Sequence, residues 1–194
     1  MENSNNPELV TELLQKVARL EEQLEEERIK VAQLTEMCET DSLTQIGNRR
    51  KFVKDLESVI SYNKRYKRQS ALIFFDINKI KYINDNFGHD TGDQAIIFTA
   101  ETLQEYIRDT DGLYRFGGDE FIIILHNVSR DMAEQKMLDI QIDFNSKKFE
   151  YQDYINTLTI SAGLEMIEGN TCPTKLINSA DRKMYEEKRS YERS

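Results

Sequence analysis

The sequence lacks any apolar run close to the roughly 20 residues that a membrane-spanning helix needs. Its first residues, MENSNNPELV, lack the basic and then apolar pattern of a secretory signal. It has only two cysteines, Cys38 and Cys172, no C-x-x-C pair and only two histidines, which argues against a disulfide framework or a zinc site. We therefore expect no membrane segment, a reducing compartment and a cytoplasmic location.

Positive charge is also in short supply. The 194 residues include 26 Lys and Arg against 35 Asp and Glu, a formal net charge of −9. Such a chain repels a nucleic-acid backbone, so we expect no nucleic-acid partner. A small phosphate ligand would have to be held by a metal ion, helix N-termini or a few lysines. A hydrophobic content of 39% is sufficient for one core, and an appendage fits beside it.

The first segment, residues 1–40, has no glycine, and after Pro7 no proline. From Pro7 to about Glu39 it is dense in Glu, Gln, Leu and Lys, which predicts one long helix. With Val10 at an a position, the heptad a residues are Val10, Val17, Leu24, Val31 and Cys38, and the d residues are Leu13, Leu20, Glu27 and Leu34. Branched residues at a with Leu at d favour a parallel dimer, so we predict a coiled-coil homodimer. The alternative is a solvated amphipathic helix lying on its own domain.

The second segment, residues 41–194, begins with the turn-forming stretch DSLTQIGNRRKF. Helical patterns then alternate with apolar strands, of which ALIFFDI is a continuous run typical of a strand covered on both faces. Thr91 and Gln94 form a capping-box signature for one helix start, and Ser129 and Pro173 mark two others. NTLTISAGLEMI predicts a further strand. The order of elements predicts an α/β or α+β fold.

Two acids stand at strand ends. Asp76 ends the most buried strand, and Asp119 follows a pair of glycines at the start of another. If these strands are neighbours, the two carboxylates converge with flexible backbone beside them, an arrangement that suits a hard cation such as Mg²⁺ and a phosphorylated ligand. The alternative is a Gly-Gly hairpin with solvated acids.

Four motifs occur in order: DSLTQIGNRRKF, FFDINKIKYINDNFGHDTGD, RDTDGLYRFGGDEF and SADRKMYEEK. Together they resemble the GGDEF domain of diguanylate cyclases over about residues 41–188. The resemblance implies a nucleotidyl-cyclase or palm-like fold, with a mostly antiparallel central sheet flanked by helices and preceded here by the long N-terminal helix. It also implies an enzyme that joins two GTP molecules into cyclic di-GMP and releases two pyrophosphates.

The resemblance assigns roles around the GGDEF motif. Asp76, the carbonyl of Ile77 and Asp119 match the metal ligands, with Mg²⁺ expected and Mn²⁺ as a second option. Asp119 also matches the proton acceptor, and Glu120 an assisting catalytic carboxylate. Gly118 leaves space for the substrate to approach the backbone.

Further matches concern substrate binding. Asn84 and Asp93 match the family's guanine-reading residues, and their acceptor and donor groups suit a guanine edge. Asp93 is also placed to complement the N-terminus of its predicted helix, in the first turn. His89 lies in the family's GH step, where a structural role is the alternative. Lys81 and Lys188 match phosphate-contacting positions, and solvated surface lysines are the alternative.

Arg108 and Asp111 match the R-x-x-D inhibitory site that binds cyclic di-GMP in many relatives. Arginine forks to phosphates or guanine edges, and an aspartate pairs with guanine. The alternative is a solvated ion pair between residues three apart on the surface.

The sequence departs from the family pattern in places. Asn78 stands where many relatives have a second acid, and Ile80 where they have Phe. Tyr191 and Glu192 stand where a Gly-Arg pair is usual, and a glutamate there repels a triphosphate. Tyr191 and Glu192 leave room for a rival function, a catalytically weak module that acts as a cyclic di-GMP receptor. A further alternative is an enzyme that accepts ATP as well as GTP, and Asp93 argues against it because its acceptor oxygens suit guanine.

Overall fold

The computed structural model describes the backbone of residues 7–192, and the side chains of residues 10–190 except 32, 33, 36 and 37. The chain divides into two compact units, Met1–Glu39 and Thr40–Ser194. The helices are α1 (Pro7–Glu39), α2 (Arg49–Tyr66), α3 (Ile80–Phe87), α4 (His89–Gln104), α5 (Arg130–Ser146) and α6 (Pro173–Glu192). The strands are β1 (Gly47–Asn48), β2 (Ser70–Ile77), β3 (Gly112–Arg115), β4 (Glu120–Leu125), β5 (Lys148–Tyr151), β6 (Tyr154–Thr157) and β7 (Ile160–Ile167).

The described part of the first unit is the single helix α1, as the sequence predicts. The described seam residues are all exposed, with Val17 at 49% and Leu20 at 54%. Cys38 is also exposed. None of the helices in the described part of the chain is long and apolar enough to cross a membrane. The seam therefore offers an apolar stripe along the helix.

The second unit is built on a five-stranded sheet in the order β1-β3-β4-β2-β7. Only the short β1–β3 pair is parallel, and the other pairs are antiparallel. The predicted mostly antiparallel sheet flanked by helices is confirmed. Strand β2 lies between β4 and β7, and all eight of its residues are buried. The prediction of a strand covered on both faces is therefore also confirmed.

Two hydrophobic cores lie on opposite faces of this sheet, because neighbouring residues of a strand point to opposite faces. Ile73 and Phe75 of β2 face the core built with α3, α4 and α5. Leu72 and Phe74 face the core built with α2 and α6. Asp76 follows the second alternation, which directs its side chain to the α6 face at the end of the strand.

The helix starts agree with the sequence at two of three places. Ser129 caps α5 by accepting from the Met132 amide at 3.4 Å, and α6 begins at Pro173. The capping box at Thr91 is wrong, because α4 begins earlier, at His89, after Gly88 with φ +87°. The Thr91 hydroxyl instead donates to the Phe87 carbonyl at 2.8 Å. This earlier start puts Asp93 beyond the first turn of α4.

Two further elements were not predicted. Lys148–Tyr151 and Tyr154–Thr157 form a separate two-stranded hairpin, so that the predicted strand NTLTISAGLEMI contains the end of β6 and the whole of β7. The outer edge of β7 is covered by side chains. Gln141 donates to the Ile160 carbonyl at 3.3 Å, Glu187 accepts from the Ala162 amide, and Lys183 donates to the Leu164 carbonyl at 2.9 Å. Side-chain partners of this kind close an edge that would otherwise pair with another chain.

Candidate active site

The topology brings the predicted acids together. Because β2 and β4 are antiparallel neighbours, the C-terminal end of β2 lies beside the N-terminal end of β4, and Asp76 is directly opposite Glu120. The Ile77 amide donates to the Asp119 carbonyl at 3.2 Å, which fixes the residue before β4 against the end of β2. The sequence argument required these strands to be neighbours, and they are.

Like charges directly across a ladder repel each other, and here they are also partly removed from water. Asp76 is only 7% exposed. Burial, opposed by a hydrogen bond from Lys188 and supported by the charge of Asp119, raises the pKa of Asp76 to about 6. Burial and then the charges of Asp76 and Asp119 raise the pKa of Glu120. The site therefore holds more negative charge than its surroundings neutralise.

Helix α6 contributes two more charged groups. Lys188 donates to Asp76 Oδ1, so this predicted phosphate contact is paired with a carboxylate in this structure. Asp181 is the second group, and its charge raises the pKa of both Asp76 and Glu120. Asp181 belongs to none of the sites predicted from the sequence. Its spacing of seven residues from Lys188, about two helical turns, is the signal that places both on one face of α6.

The glycine turn is braced by Arg115, another residue that the sequence analysis did not assign. Its Nε and Nη2 donate to the Gly118 carbonyl at 3.1 and 2.8 Å. Its Nη1 donates to Asp41 Oδ1 at 3.1 Å. Asp41 also accepts from the amide and hydroxyl of Thr44. Gly118 is exposed, and a Cβ there would meet no protein atom within 4 Å, so its missing side chain leaves space on the outside of the turn.

The donors at this end are compatible with a hard cation. Asp76, Asp119 and the backbone of Ile77 offer only oxygen ligands, which Mg²⁺ prefers. Burial raises the pKa of Asp76 even though Lys188 pairs with it, so its anionic form is only partly compensated, and a cation would add to that compensation. Across the described part of the chain, no three His, Cys, Asp or Glu side chains gather as a metal-binding group. A metal here would therefore depend on few side chains, together with backbone and substrate oxygens.

The predicted base-reading residues lie on α3 and α4. A Cβ on Gly92 would overlap Asn84 Oδ1, so the amide of Asn84 lies directly against the backbone before Asp93. Close packing of α3 on α4 thus brings these two side chains to one region. His89, at the first position of α4, and Lys81 on α3 are both exposed.

Asn78, one of the departures from the family pattern, has a full set of partners. Its Nδ2 donates to Thr159 Oγ1 at 3.1 Å, and its Oδ1 accepts from the Ser161 hydroxyl at 2.9 Å. Its amide donates to the Thr159 carbonyl at 2.8 Å. An acid could not donate to Thr159 in this way, so the substitution fits its neighbours and holds the turn after Asp76 to β7.

Arg108 and Asp111 lie at the other end of the sheet. Asp111 Oδ2 accepts from the Arg108 amide at 3.1 Å, and Oδ1 accepts from the His126 amide at 3.0 Å. The arginine side chain is exposed and borders a cavity of about 120 Å³ together with Val128, Met132 and other residues. The two residues form no side-chain salt bridge within the described ranges, so the surface ion pair considered above is not formed. The side chains of Tyr191 and Glu192 lie outside the described residues.

Comparison with known proteins identifies the family. The family described as "Diguanylate cyclase, GGDEF domain" matches residues 38–194. A "Diguanylate cyclase" of Vibrio cholerae serotype O1 is 34% identical over 159 residues, which cover 81% of this chain and 49% of that protein. "Diguanylate cyclase DgcN" of Escherichia coli K12 is 33% identical over 160 residues, which cover 82% of this chain and 39% of that protein.

A solved structure shows the same fold. It contains the coiled coil and GGDEF domain of DgcB from Caulobacter crescentus in complex with c-di-GMP. The TM-score is 0.81 at 23% identity, and the match covers 92% of this chain and 95% of that chain. The present chain spans half or less of the two curated relatives described above. By the extent of the family match, together with the acids at the GGDEF turn, this chain belongs to the GGDEF family of diguanylate cyclases.

Proposed function

We propose that this chain condenses two GTP molecules into cyclic di-GMP with release of two pyrophosphates, in a reaction that depends on Mg²⁺ or Mn²⁺. The observation that carries the proposal is the buried Asp76 opposite Glu120, beside Asp119 and under an open glycine turn. A cluster of uncompensated carboxylates destabilises the fold, so its presence is better explained by a cationic ligand than by packing.

In this mechanism Asp119 accepts the proton of a ribose 3′-hydroxyl, whose oxygen then attacks the α-phosphorus of the second GTP. The bond between that phosphorus and the bridging oxygen breaks, and pyrophosphate leaves. A second, symmetric step closes the ring. A divalent cation held by Asp76, Asp119 and the Ile77 carbonyl would neutralise triphosphate charge. Glu120 assists as the carboxylate across the ladder from Asp76.

Substrate contacts follow the same proposal. Asn84 and Asp93 read the guanine edge, because Asp93 accepts from guanine N1–H and the exocyclic amine but repels adenine N1. This argues against an enzyme that also uses ATP. Lys81 and Lys188 contact phosphates, and Lys188 exchanges its Asp76 partner for them. In this proposal His89 contacts the same ligand, and the missing side chain of Gly118 lets the ligand approach the backbone of the turn.

We further propose that α1 forms a parallel coiled-coil homodimer. One domain presents one GTP, so two domains must face each other, and a tether raises their effective concentration. The turn from Asp41 to Asn48 is closed by its own hydrogen bonds, including Asp41 amide to Ile46 carbonyl at 2.8 Å.

The dimer proposal can be tested by light scattering and an activity titration. A chain beginning at Thr40 should be mostly monomeric, with specific activity that rises steeply with protein concentration. In the full chain, Leu24→Asp in the seam should have the same effect, whereas Gln15→Asp, with the same charge change outside the seam, should not. A full chain that is monomeric at micromolar concentration removes α1 from the mechanism.

A receptor function is the second candidate, because the exposed Arg108 beside the preformed Asp111 turn is arranged to bind an anion with a guanine base. Incubation with GTP and Mg²⁺, followed by product identification, separates the two functions. Turnover supports the enzyme. Cyclic di-GMP binding that depends on Arg108, without turnover, supports the receptor. With turnover present, the same binding would support product inhibition at this site.

A further inference from the structure

Helix α2 and the two residues after it are rich in positive charge. Residues 49–68 carry eight Lys and Arg against two Asp and Glu, although the whole chain has a net charge of −9. Four of these cations fall within five residues: Lys64 and Arg65 in the last turn of α2, and Lys67 and Arg68 directly after Tyr66, its last residue. We call residues 62–68 the basic turn.

The basic turn is exposed, and its cations form no close ion pairs within the described residues. All four cations are exposed, and none forms a salt bridge with another residue in the described part of the chain. Tyr62 and Tyr66 are also exposed, at 50% and 53%. Their rings lie 4.7 Å apart, and the Arg65 guanidinium lies 5.6 Å from the centre of the Tyr66 ring. The surface therefore combines positive charge with two aromatic rings.

The fold holds this surface in place. Asn63, on the inner side of α2, is 2% exposed and donates to the Ile167 carbonyl at 2.8 Å. It also accepts from the Ser70 hydroxyl at 3.3 Å. Gly169 packs so closely against the Lys64 backbone that a Cβ there would overlap it. The basic turn is thus fixed to the ends of β2 and β7.

These strand ends lie away from the candidate active site. Ser70 begins β2, whereas Asp76 is near its end, and the intervening strand is about 20 Å long at ~3.3 Å per residue. A ligand that covers the basic turn would leave the GGDEF turn open.

We propose that the basic turn docks this protein on a membrane surface rich in anionic phospholipid. Clusters of Lys and Arg on amphipathic helices are attracted to anionic headgroups, and tyrosine rings favour the interface between headgroups and water. Because charges are screened within about 8 Å at physiological ionic strength, the acidic residues on the far side oppose this contact only weakly.

Nucleic acid is the less suitable polyanion for this surface. Single-stranded nucleic acid is held in a charged groove that follows several nucleotides, with stacking platforms along it. The four cations instead lie at and just after one helix end, and they line neither the cavity beside Arg108 nor the one beside Phe116 and Glu120. A lipid surface requires only such a projecting patch.

The test is cosedimentation of the full chain with vesicles of equimolar phosphatidylglycerol and phosphatidylcholine, and with vesicles of phosphatidylcholine alone. Binding should require phosphatidylglycerol and weaken as salt increases. Arg65→Glu with Arg68→Glu should lower the affinity by at least about 25-fold, since each lost charge is equivalent to about fivefold. Lys148→Glu with Arg182→Glu makes the same change in net charge elsewhere and should bind like the wild type. Tyr62→Ala with Tyr66→Ala should weaken binding less than the charge reversal.

Several outcomes overturn the proposal. They are no binding to anionic vesicles at low salt, equal binding to phosphatidylcholine alone, and equal losses in the two charge-reversed variants. Competition by oligothymidine at lower concentration than by anionic vesicles would assign the patch to nucleic acid instead. If cyclic di-GMP displaced the wild type from vesicles but did not displace Arg108→Ala, the basic turn would belong to the product site. Equal circular dichroism spectra and unfolding midpoints for the variants show that the comparison is between folded proteins.

Discussion

The two ends of the central sheet use carboxylates in opposite ways. At one end, Asp76 and Glu120 face each other across the ladder with Asp119 and Asp181 nearby, and Lys188 is the cation that pairs with Asp76. At the other end, Asp111 has both oxygens occupied by backbone amides. The carboxylates of Asp76 and Glu120 therefore destabilise the fold, whereas that of Asp111 stabilises it.

This difference separates binding chemistry from architecture. A carboxylate that accepts backbone hydrogen bonds stabilises a turn whether or not a ligand is present. A carboxylate that is buried beside other carboxylates is stabilised only when a cation arrives, which is the usual compromise of a functional site. The GGDEF end thus has the energetic signature of a ligand site, while the turn at the R-x-x-D end is held by its own backbone hydrogen bonds.

The largest expected effect is on catalysis at the GGDEF end. Asp119→Asn is nearly isosteric but removes the proposed proton acceptor and a metal ligand, so cyclic di-GMP formation should fall by about 10²–10⁴-fold. Product formation from GTP and Mg²⁺ measures this change. Asp153→Asn, an exposed acid in the turn between β5 and β6, is the control and should keep full activity. Wild-type rates in Asp119→Asn would contradict the catalytic assignment.

The next prediction is that an Asp→Asn substitution changes the free energy of unfolding in opposite directions at the two ends of the sheet. Because the pKa of Asp76 rises from 3.8 to about 6 on folding, its ionised form costs about 3 kcal/mol at neutral pH. Asp76→Asn should therefore increase the free energy of unfolding by about 2–3 kcal/mol above pH 6. The gain should shrink as the pH falls and vanish below about 4, where the acid is protonated in both states. Urea unfolding with a chelator present measures it.

The matched variant at the other end is Asp111→Asn. An amide nitrogen cannot accept from the Arg108 or His126 amide, so one backbone donor loses its partner, and stability should fall by about 1–2 kcal/mol. If Asp76→Asn and Asp111→Asn both lowered the free energy of unfolding, or both raised it, the distinction between the two ends of the sheet would be wrong.

A further prediction at the GGDEF end concerns the preference for GTP over ATP. Asp93→Ser removes two acceptors that match guanine donors, which should cost about 1–2 kcal/mol in GTP recognition. Competition between GTP and ATP should then favour GTP about 5- to 30-fold less than in the wild type. Asp90→Ser, an exposed acid in the first turn of the same helix, should leave the preference unchanged. Unaltered preference in Asp93→Ser would place guanine recognition elsewhere.

Many elements of this fold can be predicted from local sequence patterns. The apolar run of β2 and the helix starts at Ser129 and Pro173 rest on neighbouring residues, and the structure agrees with them. The start of α4 was misplaced because Gly88, with positive φ, begins the helix without a side-chain cap, and no polar residue marks that position.

The sequence motifs predict the site residues that lie within them. They do not reveal the residues that reach the site from distant parts of the chain. The convergence of Asp76 and Asp119 depended on strand pairing, which local periodicity does not reveal. The contact between Arg115 and Asp41 joins residues 74 apart, and Asp181 meets the acids only after α6 packs on the sheet. Such tertiary contacts require the three-dimensional arrangement.

The smallest expected effect tests how the charged end is held in shape. Arg115 forks to the Gly118 carbonyl and to Asp41, and its side chain is 16% exposed. Lysine keeps the charge but has one nitrogen where arginine has a planar fork of three, so it cannot reach Gly118 and Asp41 with the same geometry. Arg115→Lys should therefore cost about 1 kcal/mol of stability and lower kcat more than it raises KM. Asp41→Asn should be about equally costly near neutral pH, and the double variant should cost little more than either single one, because both remove one coupling.

The hydrogen bonds from Thr44 and Arg115 outweigh burial and lower the pKa of Asp41 below its ordinary 3.8, so the cost of Asp41→Asn should disappear as the pH falls through that lowered value. Urea unfolding of the four proteins, with steady-state kinetics beside it, measures both effects. Additive costs would mean that Arg115 and Asp41 act separately, and that the turn from Asp41 to Asn48 does not brace the GGDEF turn.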